Sequence, residues 1–475
     1  MAKRNVEKLI LIGLGTANPR RIGELASRGA MPALASLIKR GTVAENCFAP
    51  YPTRPLTSWT SIVTGSWPGT HGVGLRSSHP LKATTLWEAA ASQGNPSILV
   101  DCGVPRAGED PPRIPSTSAA LESPLPSCGK NAQGWAWPAD VEKDLRDLRV
   151  FPPPEAIFKA LRDPPQDQEE CFRLAASAHS WYAAAVEHLM EAREWRLLLL
   201  HDPILSAIQR ALPDFCDGVG AEISETVYRS LDDMIARITG AADRSTLVVL
   251  VSDHGVIPSR HRVDINKVLA DAGLAAIKDD GAIDWGRTKA ACVADVHVVV
   301  NLKHREPQGV VDPADYENVR EQVINTLMDH VSPDTGKHPA AFVLRREDAR
   351  VFGLYGDDVG DLVVCLEPGY GSEYAGHLPT AERGGGILRS FLLFAGPNVK
   401  KGSTLQRNAW LVDIAPSICH LMDIPFPPTM EGAILYQALQ DPNFRLTEKS
   451  RLETNYKRLK RAYDAEISLT HTYNR

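Results

Sequence analysis

The sequence predicts an α/β protein: a mostly parallel sheet flanked by helices, with a further subdomain inserted beside it. Two observations lead there. Short apolar runs recur along the chain, each followed by a Gly or Asp turn and then an amphipathic stretch, which is the strand-then-helix alternation of such folds. The chain is also long enough, at 475 residues with 43% hydrophobic and 23% charged residues, to bury a substantial core.

The first strand is read over 8–14, and the next clear strands over 97–100, 196–200, 247–251 and 390–394. Ligands in open parallel sheets bind just past the carboxyl ends of the strands. The residues found there are Asp202, Asp253 and His254. Residues 101–154 hold ten of the 35 prolines and read as a long surface excursion, after which 155–161 and 169–194 read as helices. A mixed pattern over about 260–360 predicts a cap or subdomain, so that 1–445 forms one elaborated domain. Over 446–475, Leu452, Tyr456, Leu459, Tyr463 and Ile467 recur at helical spacing and predict a terminal amphipathic helix, a candidate homo-oligomer contact.

The 52 Lys and Arg against 58 Asp and Glu give a net charge of −6, which supplies no reason to expect a nucleic-acid or membrane-surface partner. The 8 cysteines include no CxxC pair and read as reduced thiols. The apolar run from Leu9 to Leu14 is too short for a signal peptide, and no stretch reaches the roughly 18–20 apolar residues of a membrane span. A cytoplasmic location is expected.

Four segments carry a resemblance: the strand LILIGLG with PALASLIKRGTVAENCFAPYPT after it; TSWTSIVTGSWPGTHGV at 57–73; VVLVSDHGV at 248–256; and YAGHLPTAERGGGILRSFLLFAGPNVKKG at 374–402. Together, and in this order, they resemble the alkaline phosphatase superfamily, and within it the type I phosphodiesterase and nucleotide pyrophosphatase branch. The likeness spans about residues 8–436 and implies an alkaline phosphatase-like core. It further implies hydrolysis of phosphate esters by two metal ions, usually zinc, about 4 Å apart with a Thr or Ser nucleophile between them, since two cations stabilise both the attacking and the leaving oxygen.

Seven positions are implied by this resemblance, and the chain departs from it at three. Asp253 and His254 stand in the expected Ser-Asp-His-Gly motif, Asp202 matches the Asp after a strand, and His377 matches the His before the terminal strand. The first-strand Asp is replaced by Gly15, and the His four residues after Asp202 is Ser206. The nucleophile position is Pro55, which has no hydroxyl; Thr53, Thr57 and Ser58 are nearby, with Thr57 and Ser58 the candidate replacements. His201, His261 and Asp295 are possible substitute ligands. His71 reads as a turn histidine, and Arg305 with Glu306 as a structural ion pair.

The expectation is a divergent phosphodiesterase or phosphatase-like protein with a rebuilt metal site of one divalent ion rather than two, zinc first and manganese or iron as alternatives. It would act by single-metal or non-hydrolytic chemistry on a small-molecule phosphate ester. The alternative is a catalytically inactive module that binds a ligand or a partner.

Overall fold

The structure is a computed structural model and describes residues 6–74, 81–102, 104, 117–121, 136–148, 156–157, 159–160, 163, 165, 167–211, 221–255, 261–294, 296–367, 369–371, 389–443, and scattered positions of 449–460. His377 and Asp295, most of the Pro-rich excursion, and most of the expected terminal helix with its candidate contact lie outside the described residues.

The principal strands are β1 (Lys8–Gly13), β2 (Gly41–Ala44), β3 (Ser97–Val100), β4 (Thr117–Leu121), β5 (Ala136–Trp137), β6 (Leu197–His201), β7 (Thr246–Val251), β8 (Ala290–Ala294), β9 (His297–Val300), β10 (Ala340–Arg345), β11 (Leu362–Leu366), β12 (Leu392–Ala395) and β13 (Ser403–Leu405). Nine of them form one sheet in the order β13-β2-β12-β7-β1-β6-β3-β4-β5. β1 lies at its centre, parallel to both β6 and β7, while β12 runs antiparallel to its neighbours β7 and β2, and β5 antiparallel to β4. All five strands read from the sequence are present, with ends shifted by a residue or two.

Apolar residues continue without polar interruption through β1, β6 and β7 because both faces of the sheet are covered. Ile10, Ile12, Leu198 and Leu200 face one core, with Trp181 and Tyr182 from α3 (Gln168–Ala192) and Val227 and Tyr228 from α4 (Ala221–Gly240). Leu9, Leu11, Leu197 and Leu199 face the other, with Trp59 and Ile62 from α2 (Pro55–Thr64) and Ile414 and Ile418 from α6 (Ile414–Met422). This strict alternation is the period-two geometry of a strand. The helix α1 (Pro32–Arg40) has no side-chain cap of its own. Asp232 of α4 serves instead, accepting the Ala33 and Leu34 amides at 2.9 Å each.

The insertion forms an antiparallel four-stranded sheet, β8-β9-β11-β10, packed on α5 (Tyr316–Asp329). It rests on the main body through Tyr51, whose hydroxyl donates to the Val364 carbonyl at 2.8 Å, and through Tyr355, whose hydroxyl meets Thr70 at 2.7 Å and Glu431 at 2.6 Å. Arg305 and Glu306 form an ion pair at 3.0 Å, and the guanidinium also grips buried Asp361 with two bonds, at 2.7 and 2.5 Å. Among the described residues no helix is long and apolar enough to cross a membrane.

Candidate functional site

Three parallel strand ends converge on the candidate site. Backbone bonds lock them together: the Leu14 amide donates to the Val251 carbonyl at 2.7 Å, the Asp202 amide to the Gly13 carbonyl at 2.8 Å, and the Asp253 amide to the Gly15 carbonyl at 3.1 Å. The bare Cα of Gly13 makes room for two aromatic rings beside these strand ends. A Cβ there would lie 2.7 Å from the Trp59 ring and 3.1 Å from the His201 ring, which stack on one another with centroids 4.8 Å apart.

Asp253 and His254 are buried and preorganised. Asp253 Oδ1 accepts the His254 amide at 2.8 Å, leaving Oδ2 with no hydrogen-bond partner. His254 Nδ1 lies 2.9 Å from the Gly255 carbonyl; a carbonyl only accepts, so Nδ1 carries a proton, and Nε2 has no hydrogen-bond partner. His201 brings a third unpaired atom, Nε2, to 3.5 Å from Asp253 Oδ2. Burial pushes the Asp253 carboxyl up, but the imidazoles of His254 and His201 and the His254 amide outweigh it and hold the group below the usual carboxylate value.

Asp202 has a different environment. Its Oδ1 accepts the Ile204 amide at 2.9 Å, and its Oδ2 lies 3.2 Å from His179 Nε2, with both side chains only 1% exposed. His179 Nδ1 lies 2.8 Å from Ser230 Oγ, and that hydroxyl donates its proton to the Val227 carbonyl. Nδ1 therefore carries its own proton, and a further proton sits between Nε2 and Asp202 Oδ2. The sequence reading missed His179 and Ser230. A signal for His179 existed: it is a polar residue on the buried stripe of α3, between Ala175 and Ala178 on one side and Tyr182 on the other.

The replaced positions are closed by structure as well as by residue type. Gly15 has φ +51°, and a Cβ there would lie 2.7 Å from the Asp202 carbonyl oxygen, so an Asp side chain would meet backbone. Ser206 sits 3.3 Å from the Thr16 hydroxyl. Pro55 occupies the first turn of α2. Thr57 and Ser58 are fully buried with unpaired hydroxyls, and Gly74 packs so tightly over Thr57 that a Cβ would reach within 1.9 Å of its oxygen. His261, on a short strand, makes a tilted ring contact with Tyr370, centroids 5.3 Å apart. His71 is a buried turn histidine, accepting the Val73 amide on Nδ1 at 3.0 Å and donating from Nε2 to Ser61 at 2.9 Å.

These donors fit two metal ions poorly. Both Asp202 oxygens are engaged, Gly15 and Ser206 contribute no carboxylate or imidazole, and among the described residues no three His, Cys, Asp or Glu side chains are placed to hold a metal ion. One pair of donor atoms does stand at a ligand-like spacing. Two ligands at about 2.0–2.1 Å from a tetrahedral ion stand about 3.3–3.4 Å apart, close to the 3.5 Å between His201 Nε2 and Asp253 Oδ2.

A central parallel sheet with an Asp-His pair at a strand end, a helix beginning beside it and a sheet-bearing insertion is the arrangement of the alkaline phosphatase superfamily. Residues 9–386 match the sequence model of the family described as type I phosphodiesterase / nucleotide pyrophosphatase, and the chain belongs to that family. Among solved structures, the chain is similar to a variant of the alkaline phosphatase PafA, with 14% identity and a TM-score of 0.61, covering 92% of this chain and 100% of that one. It is also similar to murine ectonucleotide pyrophosphatase / phosphodiesterase 5, with 12% identity, a TM-score of 0.54, and coverage of 91% and 100%. The inactive murine protein in complex with AMP gives a TM-score of 0.55 at 12% identity, covering 91% and 100%. No curated protein sequence matches the chain.

Proposed function

We propose that this chain is a divergent phosphoester hydrolase that holds one divalent ion on Asp253 and His254, with His201 as the substitute third ligand, and cleaves a small phosphate ester with water as nucleophile. The observation that carries this reading is the set of three unpaired atoms, Asp253 Oδ2, His201 Nε2 and His254 Nε2, at adjoining strand ends. Leaving such atoms unsatisfied costs about 1–3 kcal/mol each, a cost that binding a cation would offset. Zinc suits this donor set best, with manganese or iron as alternatives. His377 belongs to the reading as a further ligand, and Asp202 could join only by leaving His179. When bound, the ion supplies Lewis-acid polarisation and a lowered pKa for water.

The chain's own residues orient and exclude. The Gly255 carbonyl takes the Nδ1 proton of His254 in a hydrogen bond, so Nε2 is the nitrogen presented to an ion. Trp59 stacks on His201 and sets its ring plane while keeping water from one side. Pro55 has no hydroxyl and can form no phosphoenzyme, so water takes the place of a protein nucleophile. The AMP complex of the murine relative makes nucleotide esters a sensible first substrate panel.

A cytoplasmic location belongs to the same reading, supported by the free state of Cys47, Cys102, Cys171, Cys292, Cys365 and Cys419. So do the lack of nucleic-acid and membrane partners, supported by the net charge of −6, and self-association through 446–475. The test is elemental analysis of chelator-free protein together with hydrolysis of bis(p-nitrophenyl) phosphate. One ion per chain, lost with its activity in Asp253→Ala, supports the reading; a metal-free chain without activity rejects it. In that event the alternative, an inactive ligand- or partner-binding module, stands on Pro55 and on the backbone closed over Gly15.

A further inference from the structure

The net charge of −6 is unevenly spread along the chain. Residues 449–461 hold Lys449, Arg451, Lys457, Arg458, Lys460 and Arg461 against Glu453 alone. That is an excess of five positive charges, so the rest of the chain carries −11. The described positions of this stretch are helical. Lys449 reaches Glu453 at 3.9 Å and the Thr454 hydroxyl donates to the Ser450 carbonyl at 2.8 Å, each contact spanning one helical turn.

Tyr456 and Leu459, three residues apart, share one face of this helix. The chain does not cover them with its own body: Tyr456 is 67% exposed and Leu459 70%. A single exposed apolar side chain needs no explanation. Here two neighbours stand together, beside the exposed Lys457 and Lys460, and form a basic amphipathic surface.

We propose that this helix docks on the body of a second copy of the chain, with Tyr456 and Leu459 turned inward and the basic residues against the acidic body. The proposal rests on the self-association suggested for 446–475 and names the surface that each copy offers. Charge decides the arrangement. Two such helices side by side would set +5 against +5, whereas a helix on the body of another copy sets +5 against −11. The same −11 repels an anionic lipid surface, which makes a membrane the less favourable partner. In a two-fold exchange the contact is made twice, since each copy gives one helix and receives one.

The test is sedimentation equilibrium of the full chain at low and at high salt. The wild type should dimerise and weaken by at least about tenfold between about 50 and about 500 mM NaCl. Lys457→Glu with Lys460→Glu should weaken the dimer by about tenfold or more at low salt, and Leu459→Asp should do the same by charging the apolar contact. These substitutions fall on exposed positions, and an unchanged circular dichroism spectrum verifies that the fold is kept. A dimer that holds or tightens when the charges are reversed is helix on helix; it overturns this proposal and leaves self-association through 446–475 standing. A dimer indifferent to Leu459→Asp, or a monomer, overturns both. A monomer that co-sediments with phosphatidylserine vesicles overturns them too and assigns the helix to a membrane surface.

Discussion

His201 ends one of the two strands that flank β1 and Asp253 lies two residues past the end of the other, yet His201 Nε2 comes to 3.5 Å from Asp253 Oδ2. They meet across Gly13, where the missing side chain leaves room for the His201 ring and the Trp59 ring stacked on it. Gly13→Ala should therefore push both rings away. We expect a loss of about 1–3 kcal/mol by overpacking, measured by urea unfolding, together with weaker metal retention. An alanine variant with wild-type stability and metal content would show that the rings yield freely.

Asp202 and His179 act as a buried pair. Asp202→Asn should leave metal content unchanged while lowering stability, and His179→Leu, which strands the carboxylate, should cost about 3–5 kcal/mol. Metal analysis beside denaturant unfolding separates the two roles. Loss of an ion in Asp202→Asn would return Asp202 to the metal site.

Pro55→Thr restores a hydroxyl at the nucleophile position. With Gly15 and Ser206 still in place, we expect no more than about a tenfold change in phosphodiester hydrolysis, since the nucleophile is only one part of a unit whose members act together. Trapping with an aryl phosphate should find no phosphoenzyme. A stable phosphothreonine at 55 would show that the remaining site still supports covalent chemistry.

His71 gives a pH signature. Burial lowers its pKa to about 3. The folded form stays neutral while the unfolded chain takes up a proton below about pH 6.5, so this contribution to stability is intact above that value and is lost as pH falls towards 3. The slope from this one group is about 1.4 kcal/mol per pH unit. Unfolding midpoints at pH 7, 6 and 5 should fall less steeply in His71→Gln than in the wild type. Parallel slopes would mean that His71 is protonated in the folded state as well.

Asp361 contributes lower on the scale. Burial raises its carboxyl, but hydrogen bonds from Arg305, Tyr316 and the Val300 amide hold it below the ordinary value. Its contribution is full above about pH 4 and is lost as pH falls through the lowered folded value. Asp361→Asn should cost about 1–3 kcal/mol by removing the charged acceptor of Arg305, Arg346 and Tyr316, and it should weaken acid sensitivity below pH 4.

Much of the fold and half of the candidate site were legible in the chain alone. The central strands announce themselves as unbroken apolar runs, and Ser252-Asp253-His254-Gly255 is contiguous, so its meaning survives without tertiary information. Absences were also readable: Pro55, Gly15 and Ser206 lack the atoms that the chemistry needs, whatever the coordinates. What only the tertiary structure decided are pairings across long sequence separations. His179 reaches Asp202 from a helix on the far side of the sheet, Trp59 covers His201, and the Asp202 carbonyl occupies the space a side chain at position 15 would need. Residue type says which atoms can bind a proton or an ion. Whether those atoms are already engaged depends on what the packed core brings within 3–4 Å, and no local spacing encodes that.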